Sequence, residues 1–269
     1  MSAPILNVKD LNKSFGAVTA AHDISVAIQP GTCTGLIGTN GAGKTTFVNM
    51  ITGYLKPDTG SIEFNGQNIT KMTPRDISRI GVTRSFQIPQ LYASMTTLEN
   101  LEMGFGVLAL MRNKRGLFVG SDKPVPGYGN QTIRQLAEEA MERFGLSAFR
   151  DQVTRTLPGG TRKLIDIAMA MATKPKVLLL DEPTSGVSSE EKFDIMDMVM
   201  RVVKADGTTV LFVEHDMEIV SQHADRVLAF YDGTIIVDEP PESALKNELV
   251  LQYIVGNAQA LSTTGQNDA

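Results

Sequence analysis

The chain has 269 residues, of which 42% are hydrophobic, so it can bury one large core or two modest ones. Its formal net charge of −5 at pH 7 lacks the positive excess of a nucleic-acid-binding domain, which argues against DNA or RNA as a partner. The single cysteine, Cys33, cannot form an internal disulfide and is expected to be a buried small side chain.

The first third of the chain is predicted to consist mainly of strands. The segments ILNVK and DISVAI alternate between apolar and polar residues, so the apolar side chains of each share one face. SIEF and QNI are predicted to form a hairpin around Asn65 and Gly66, which tolerate the positive φ angles of a tight turn. Between these strands, Thr32–Gly38 predicts a short buried strand, followed by a glycine-rich loop and a helix that begins KTTFVNM.

The middle of the chain is predicted to be mostly helical, from about Ser85 to Gly160. A polar loop rich in proline and glycine, Gly120–Asn130, interrupts it. The helix that follows has a stripe of apolar residues at helical spacing, namely Ile133, Leu136, Ala140 and Phe144.

The last third alternates between strands and helices. VLLLD, TTVLFVEH, RVLAFY and TIIVDE are predicted strands, and a helix is predicted over Glu190–Lys204. Alternation of this kind indicates a parallel sheet covered by helices. Residues 257–269 lack the apolar content to pack and are expected to form a disordered tail.

The sequence shows no targeting or membrane segment. The opening MSAPILNVKD does not combine a cationic start with an apolar run, as a signal peptide does. The longest apolar stretch, Met103–Met111, is shorter than the ~20 residues that a spanning helix needs. We therefore expect a cytosolic chain.

The segment GTNGAGKT matches the phosphate-binding pattern G-x-x-x-x-G-K-[ST] and lies between a predicted strand and a predicted helix. Its glycines let the backbone curl, so that successive N–H groups point at phosphate oxygens. The helix that begins at Lys44 adds the positive end of its dipole. Lys44 supplies a cation for the β and γ phosphates, and Thr45 offers a hydroxyl to Mg²⁺. The predicted nucleotide-binding residues here are Gly38, Thr39, Asn40, Gly41, Ala42, Gly43, Lys44, Thr45 and Thr46.

Two carboxylates follow the predicted strand VLLLD, at the end where open α/β sheets place their ligands. Asp181 is suited to hold Mg²⁺ through its water shell, and Glu182 is the candidate general base for an attacking water. Combined with the glycine loop, they predict hydrolysis of a nucleoside triphosphate. A GTPase of the Ras kind would need N-K-x-D after the loop, whereas NKSF precedes the loop and lacks the aspartate.

The segment LPGGTRKLIDIAMAMA, Leu157–Ala172, resembles the LSGGQ signature helix of ABC ATPases, in its expected place before the magnesium-binding strand. Gln87 matches the family's Q-loop glutamine, and His215 matches its switch histidine. Phe15 falls where the family has an aromatic residue that stacks on adenine. The order of the motifs agrees with the family from about Leu6 to Ile254.

The resemblance implies an α/β fold, the P-loop NTPase of ABC type. This fold has a mixed sheet with an N-terminal antiparallel β subdomain, a parallel RecA-like core and an inserted helical subdomain. One domain would cover residues 1–256, with the helical insertion and signature at about 86–160. ATP and Mg²⁺ are the implied cofactors. Gln87 would touch Mg²⁺ and sense a membrane partner, and His215 would hold the γ-phosphate and the attacking water.

The implied partners are a second ABC ATPase subunit, two transmembrane permease subunits and a periplasmic or extracellular solute-binding protein. They would hold the chain at the cytoplasmic face of the plasma membrane. The segment GVTRSFQIPQLYASMTTLENL resembles the ATPases of branched-chain (hydrophobic) amino-acid importers and of related importers of urea or other small solutes. The implied function is ATP hydrolysis that powers such uptake.

Other ABC proteins fit less well. Those that act on ribosomes usually carry two ATPase domains, and those that act on DNA carry long coiled coils, whereas this chain has one phosphate loop and no sustained heptad run. A regulatory nucleotide-binding module without turnover is disfavoured by Glu182 and His215.

The signature departs from the family pattern. Pro158 stands in place of the usual serine and Thr161 in place of the glutamine, while Gly159 and Gly160 are kept. These four residues would contact ATP bound to the opposite subunit. The segment SGVSSEE, Ser185–Glu191, matches the family's D-loop, and Ser188 stands where many D-loops have aspartate. Pro158 suits a helix start, because the first helical position tolerates a missing N–H.

Overall fold

The computed structural model describes residues 3–112, 120 and 122–256. The expected disordered tail, 257–269, lies outside the described residues. In chain order the strands and helices are β1 (Leu6–Phe15), β2 (Val18–Ile28), β3 (Cys33–Gly38), α1 (Lys44–Ile51), β4 (Thr59–Phe64), β5 (Gln67–Asn68), α2 (Pro74–Ile80), β6 (Val82–Ser85), α3 (Thr97–Arg112), α4 (Ile133–Arg143), α5 (Gly159–Met171), β7 (Val177–Asp181), α6 (Glu191–Ala205), β8 (Thr209–Val213), α7 (Met217–His223), β9 (Arg226–Tyr231), β10 (Thr234–Glu239), α8 (Pro241–Ala244) and α9 (Glu248–Val250).

The described residues form two compact units. The first belongs to Met1–Ile77 and Thr209–Ala269, and the second is Ser78–Thr208. The expected helical insertion, at about 86–160, lies inside the second unit, and its boundaries stay a prediction.

The first unit contains an antiparallel sheet with the strand order β2-β1-β4-β5. Ile24, Val26 and Ile28 of β2 are buried, which confirms the predicted apolar face. Asn65 and Gly66 adopt φ angles of 48° and 76° between β4 and β5, which confirms the predicted hairpin.

Four further strands of the first unit lie side by side in the order β10-β9-β3-β8. β3 is parallel to β8 and β9, whereas β10 is antiparallel to β9. Every residue of β3 and β8 is buried, including Cys33, as in strands covered on both faces. Because β3 and β8 are parallel neighbours, the glycine loop after β3 and His215 after β8 follow adjacent strands at the same edge.

In the second unit, β6 pairs in parallel with β7, with Val82 opposite Val177 and Ser85 opposite Leu180. Strand β6 was not predicted, because its four residues, VTRS, show neither an apolar run nor a clear alternation. The pairing carries the segment that follows β6, including Gln87, to the end of β7 where Asp181 lies.

Helices α3 to α6 also belong to the second unit. The predicted stripe of α4 is confirmed, because Ile133, Leu136, Ala140 and Phe144 are all buried. Thr132 starts this helix with a reciprocal pair of hydrogen bonds to Gln135, a capping box. Helix α6 begins and ends one residue later than predicted.

Across 3–112, 120 and 122–256, we find no helix with both the length and the apolar content that crossing a membrane requires.

Candidate nucleotide-binding site

The glycines of the phosphate loop are required by its geometry. Gly38, Gly41 and Gly43 adopt φ angles of 151°, 82° and 103°. A Cβ at Gly38 would collide with the carbonyl oxygen of Phe230, and one at Gly43 would lie 2.6 Å from the carbonyl oxygen of Ala20. The loop therefore has its curled backbone because glycine is present at these positions.

Lys44 is folded back across this loop. Its side chain is buried, and Nζ donates hydrogen bonds to the carbonyl oxygens of Gly38 (2.7 Å) and Thr39 (2.9 Å). Helix α1 starts here without a side-chain cap, and the N–H of Phe47 donates to the carbonyl oxygen of Gly43 at 2.9 Å. Amides of an uncapped first turn and a cation over the loop are groups that bind phosphate, so these residues fit a nucleoside triphosphate. Thr45 is exposed, which suits a hydroxyl that is to reach a metal ion.

Phe15 and His215 are also placed at the surface of the first unit. Phe15 ends β1 with half of its side chain exposed, and Nζ of Lys13 lies 5.5 Å from its ring centroid. His215 is exposed immediately before Asp216, whose carboxylate accepts from the N–H groups of Glu218 and Ile219 and so caps α7. Adenine stacking by Phe15 and phosphate contact by His215 stay predictions.

In the second unit, both candidate carboxylates are held by residues that come from β6 and the turn after it. The buried carboxylate of Asp181 forms a salt bridge with Arg84. Nε2 of Gln87 donates to Oε2 of Glu182 at 2.7 Å. Glu182 adopts a φ of 47°, a strained conformation for a residue with a side chain. The structure therefore brings Gln87 to Glu182, and it adds Arg84, which the sequence analysis missed.

Asp181 in the second unit offers a carboxylate and Thr45 in the first unit offers a hydroxyl. Both are oxygen donors of the kind that Mg²⁺ prefers, and Mg²⁺ is usually held by one or two carboxylates together with substrate phosphates. Within the described ranges we find no group of three or more His, Cys, Asp or Glu side chains that would hold a metal ion by themselves.

The signature residues open α5. Pro158 is the N-cap residue, one position before the first helical position at which the sequence analysis placed it, and Arg162 N donates to Pro158 O at 3.1 Å. Gly160 is buried, and a Cβ there would lie 2.6 Å from Cδ1 of Ile195. A Cβ at Gly159 would lie 3.0 Å from the carbonyl oxygen of Gly186 in the D-loop. A side chain at Gly160 would therefore displace the end of the Ile195 side chain, and one at Gly159 would press against backbone.

Ser188 has a local role that explains its presence in the D-loop. Its Oγ donates to Oε2 of Glu191 at 2.9 Å and accepts from the N–H of Glu191 at 3.4 Å. Ser188 and Glu191 thus help to start α6, which is a structural use of this position.

Two buried charged residues of α5 were missed by the sequence analysis. Lys163 and Asp166 contact the segment between β6 and Gln90. Burial raises the pKa of Asp166 above its ordinary value of 3.8, although hydrogen bonds from Ser85 and Gln90 and the charge of Lys163 oppose the rise.

Comparison with known proteins decides the family. Residues 21–185 match the family described as ABC transporter. LivG of Escherichia coli K12, a high-affinity branched-chain amino acid transport ATP-binding protein, is 34% identical over 260 residues, which cover 96% of this chain and 100% of LivG. The chain belongs to the ATP-binding subunits of ABC transporters. BraF of Pseudomonas aeruginosa, of the same description, is 31% identical over 96% of this chain and 100% of BraF.

Solved structures of ABC ATPases agree with this chain in fold. The ADP conformation of MJ1267, an ATP-binding cassette of an ABC transporter, is 33% identical over 96% of this chain and 99% of that one, with a TM-score of 0.78. CbiO1 of Clostridium perfringens, part of the ABC transporter complex cbiONQ, is 26% identical over 97% of this chain and 100% of that one, with a TM-score of 0.77. The predicted α/β fold class is confirmed.

Proposed function

We propose that this ABC subunit hydrolyses ATP to power the uptake of branched-chain amino acids or of a related small solute. The observation that carries the proposal is the match to the full length of LivG, an ATP-binding protein of branched-chain amino acid transport. Support comes from the phosphate loop, whose required glycines and folded-back Lys44 fit a triphosphate, and from the intact Asp181, Glu182 and His215.

In the proposed mechanism, the amides of the phosphate loop and the ammonium of Lys44 hold the β and γ phosphates. Bound Mg²⁺ would neutralise charge on the phosphoryl oxygens, and Thr45, Asp181 and Gln87 would hold it, Asp181 through water. Glu182 takes a proton from the attacking water. His215 holds that water and the γ-phosphate.

The proposed assembly contains a second ATPase subunit, two permease subunits and a solute-binding protein, at the cytoplasmic face of the membrane. Support comes from the relatives, since cbiO1 is part of a transporter complex and the ATP-binding cassette MJ0796 forms a dimer in its post-hydrolysis state.

Co-expression with permease subunits of a branched-chain amino-acid importer, taken from the same genome, tests the function. We expect the chain to co-purify with a tagged permease, and proteoliposomes to take up labelled leucine only when ATP is supplied. Recovery with ribosomes or DNA in place of the permease would overturn the proposal. Co-purification with uptake of urea but not leucine would support the role as a transporter ATPase and would contradict branched-chain amino acids as the solute.

We expect the segment after Gln87 to dock the permease. Ile88 is 74% exposed and Tyr92 is 46% exposed, so neither fills the core of the second unit. Ile88 also lines a cavity of about 280 Å³ together with Leu91 and Arg162. Exposed apolar side chains of this kind mark interaction sites. Cysteines introduced at Ile88 and Tyr92 should therefore crosslink to a cytoplasmic permease loop in the purified complex.

The matched control is a cysteine at Val18, which is 66% exposed and lies in the first unit. The native Cys33 is buried and should not react. Crosslinks from the Val18 position, with none from the two test positions, would place the dock elsewhere.

We expect Pro158 to make the two ATP sites of a heterodimer unequal. A signature serine would donate a hydrogen bond to the partner's γ-phosphate, and bonds to charged groups are worth about 1.5–3 kcal/mol. Proline has no such donor, so mutation of the partner's phosphate-loop lysine should cost less transport than Lys44→Ala. Pro158→Ser should tighten ATP-dependent dimerisation, measured by size-exclusion chromatography of Glu182→Gln protein.

A serine at the N-cap would also stabilise α5 itself. Dimerisation is therefore compared with and without ATP, and Thr156→Ser, at an exposed position just before the signature, is the control. Equal damage from both lysine mutations, with unchanged dimerisation of Pro158→Ser, would contradict the inequality and make Thr161 the candidate replacement donor.

A further inference from the structure

Lys163 and Asp166 occupy one face of the signature helix α5, three residues apart, and both are buried. Lys163 is 2% exposed and Asp166 is 6% exposed, although charged side chains are almost never buried without partners. Neither residue has a part in the proposed mechanism. Their burial therefore needs a reason other than contact with the nucleotide.

Lys163 forms hydrogen bonds with two backbone segments next to the candidate carboxylates. Its Nζ donates to the carbonyl oxygens of Phe86 (2.8 Å) and Gln87 (3.1 Å), which follow β6. It also donates to the carbonyl oxygen of Asp181 (3.3 Å), at the end of β7. One ammonium on α5 thus ties the segment that bears Gln87 to the strand end that bears Asp181.

Asp166 holds the same segment at two further points. Its Oδ2 accepts from Oγ of Ser85 at 2.6 Å, and its Oδ1 accepts from the N–H of Gln90 at 2.9 Å. Ser85 is the last residue of β6, and Gln90 lies three residues beyond Gln87. The turn from Ser85 to Gln90 is therefore anchored to α5 at both ends by Asp166 and in its middle by Lys163.

The anchored turn and the residue before it contact Asp181 and Glu182. Arg84, the residue before the turn, forms the salt bridge with Asp181, and Gln87, within it, donates to Glu182. A displacement of the turn would move both contacts at once. Because Lys163 and Asp166 fix the turn to α5, the position of the signature helix sets the position of Gln87 relative to Glu182.

We propose that Lys163 and Asp166 are positioning residues for ATP hydrolysis, which hold Gln87 against Glu182 from the signature helix. The proposal rests on the proposed roles of Gln87 and Glu182. Misplacement of a catalytic group by about 1 Å costs as much as 10²-fold in rate, so loss of one anchor lowers turnover measurably. Nucleotide affinity is expected to change little, because the hydrogen bonds described for the two anchors go to the turn and to Asp181.

The test is a double-mutant cycle with Gln87→Ala, measured as steady-state ATP turnover by the full chain. We expect Lys163→Met to lower kcat about 10-fold, with KM for ATP within about twofold, and Lys163→Arg to restore most of the loss. In the Gln87→Ala background the same substitution should lower kcat less than about twofold, because the side chain it positions is gone. Equal losses in both backgrounds would overturn the proposal and leave Lys163 a structural residue.

Asp166→Asn is the second variant, and it keeps the volume of the side chain. It is expected to fold at neutral pH even if Lys163→Met does not, because burial of the charged carboxylate is unfavourable, as the raised pKa shows. We expect kcat to fall about threefold, again only when Gln87 is present. The controls are Lys204→Met and Asp197→Asn, exposed positions of α6 in the same unit, which should leave kcat unchanged.

A measurement without nucleotide provides a second readout. In hydrogen–deuterium exchange of the apo chain, amides of the turn that carries Gln87 and Gln90 should exchange faster in Lys163→Met and Asp166→Asn, and those of α1 should not. Unchanged exchange in the turn would contradict the anchoring. Failure of the proposed function is a separate outcome, since Glu182→Gln would then leave turnover intact.

Discussion

Glu182→Gln is expected to lower ATP turnover by about 10²–10⁴-fold, the loss typical of a missing general base, and to leave ATP binding nearly intact. The substitution keeps the shape of the side chain. The introduced amide oxygen can still accept the hydrogen bond that Nε2 of Gln87 donates at 2.7 Å. The contact would survive while the basicity is lost, so the fall in rate would report proton transfer.

Single-turnover hydrolysis and a fluorescent-ATP titration measure the two effects separately. Glu190→Gln, an exposed position in the D-loop, is the matched control and should hydrolyse ATP at the wild-type rate. A rate close to wild type for Glu182→Gln would remove Glu182 from the role of base.

Lys44→Ala is expected to fail earlier, at nucleotide binding. The ammonium is buried within the phosphate loop, where it donates to the carbonyl oxygens of Gly38 and Thr39. Hydrogen bonds to charged groups are worth about 1.5–3 kcal/mol, so loss of the contact with phosphate should raise Kd for ATP about 10- to 150-fold. Loss of the hydrogen bonds to Gly38 and Thr39 should raise Kd further, because the phosphate loop would be held less rigidly.

The same titration on Lys71→Ala, an exposed lysine of the first unit, controls for the loss of one positive charge. Thermal unfolding without nucleotide shows whether Lys44→Ala remains folded. Folded Lys44→Ala protein with wild-type affinity for ATP would show that the loop does not bind phosphate through this lysine.

The sequence predicted best the parts in which residue type and local backbone are coupled. The phosphate loop is one example, because Gly38 and Gly43 have no room for a Cβ. The apolar stripe of α4 is another, because burial follows the helical period. Such patterns are local, so they can be recognised without knowing what the segment packs against.

What the sequence did not predict depends on contacts between distant segments. Strand β6 is short and mostly polar, and its pairing with β7 gives it its strand conformation. Lys163 and Asp166 resembled ordinary charged residues on a helix, because their partners lie 18 to 81 positions away along the chain. No period or motif signals a buried charge whose partner is so remote.

The salt bridge between Arg84 and Asp181 constrains how this family branch can evolve. Both side chains are only 8% exposed, and removal of one partner of a buried pair costs about 3–5 kcal/mol. Because Asp181 has a proposed role toward magnesium, a substitution that removes the charge of Arg84 should not be neutral. Arg84 should persist among descendants as strictly as a nucleotide ligand does, without touching the nucleotide. Arg84 would then be conserved because it neutralises the buried charge of Asp181. A count of conserved residues would therefore overestimate the number of catalytic residues.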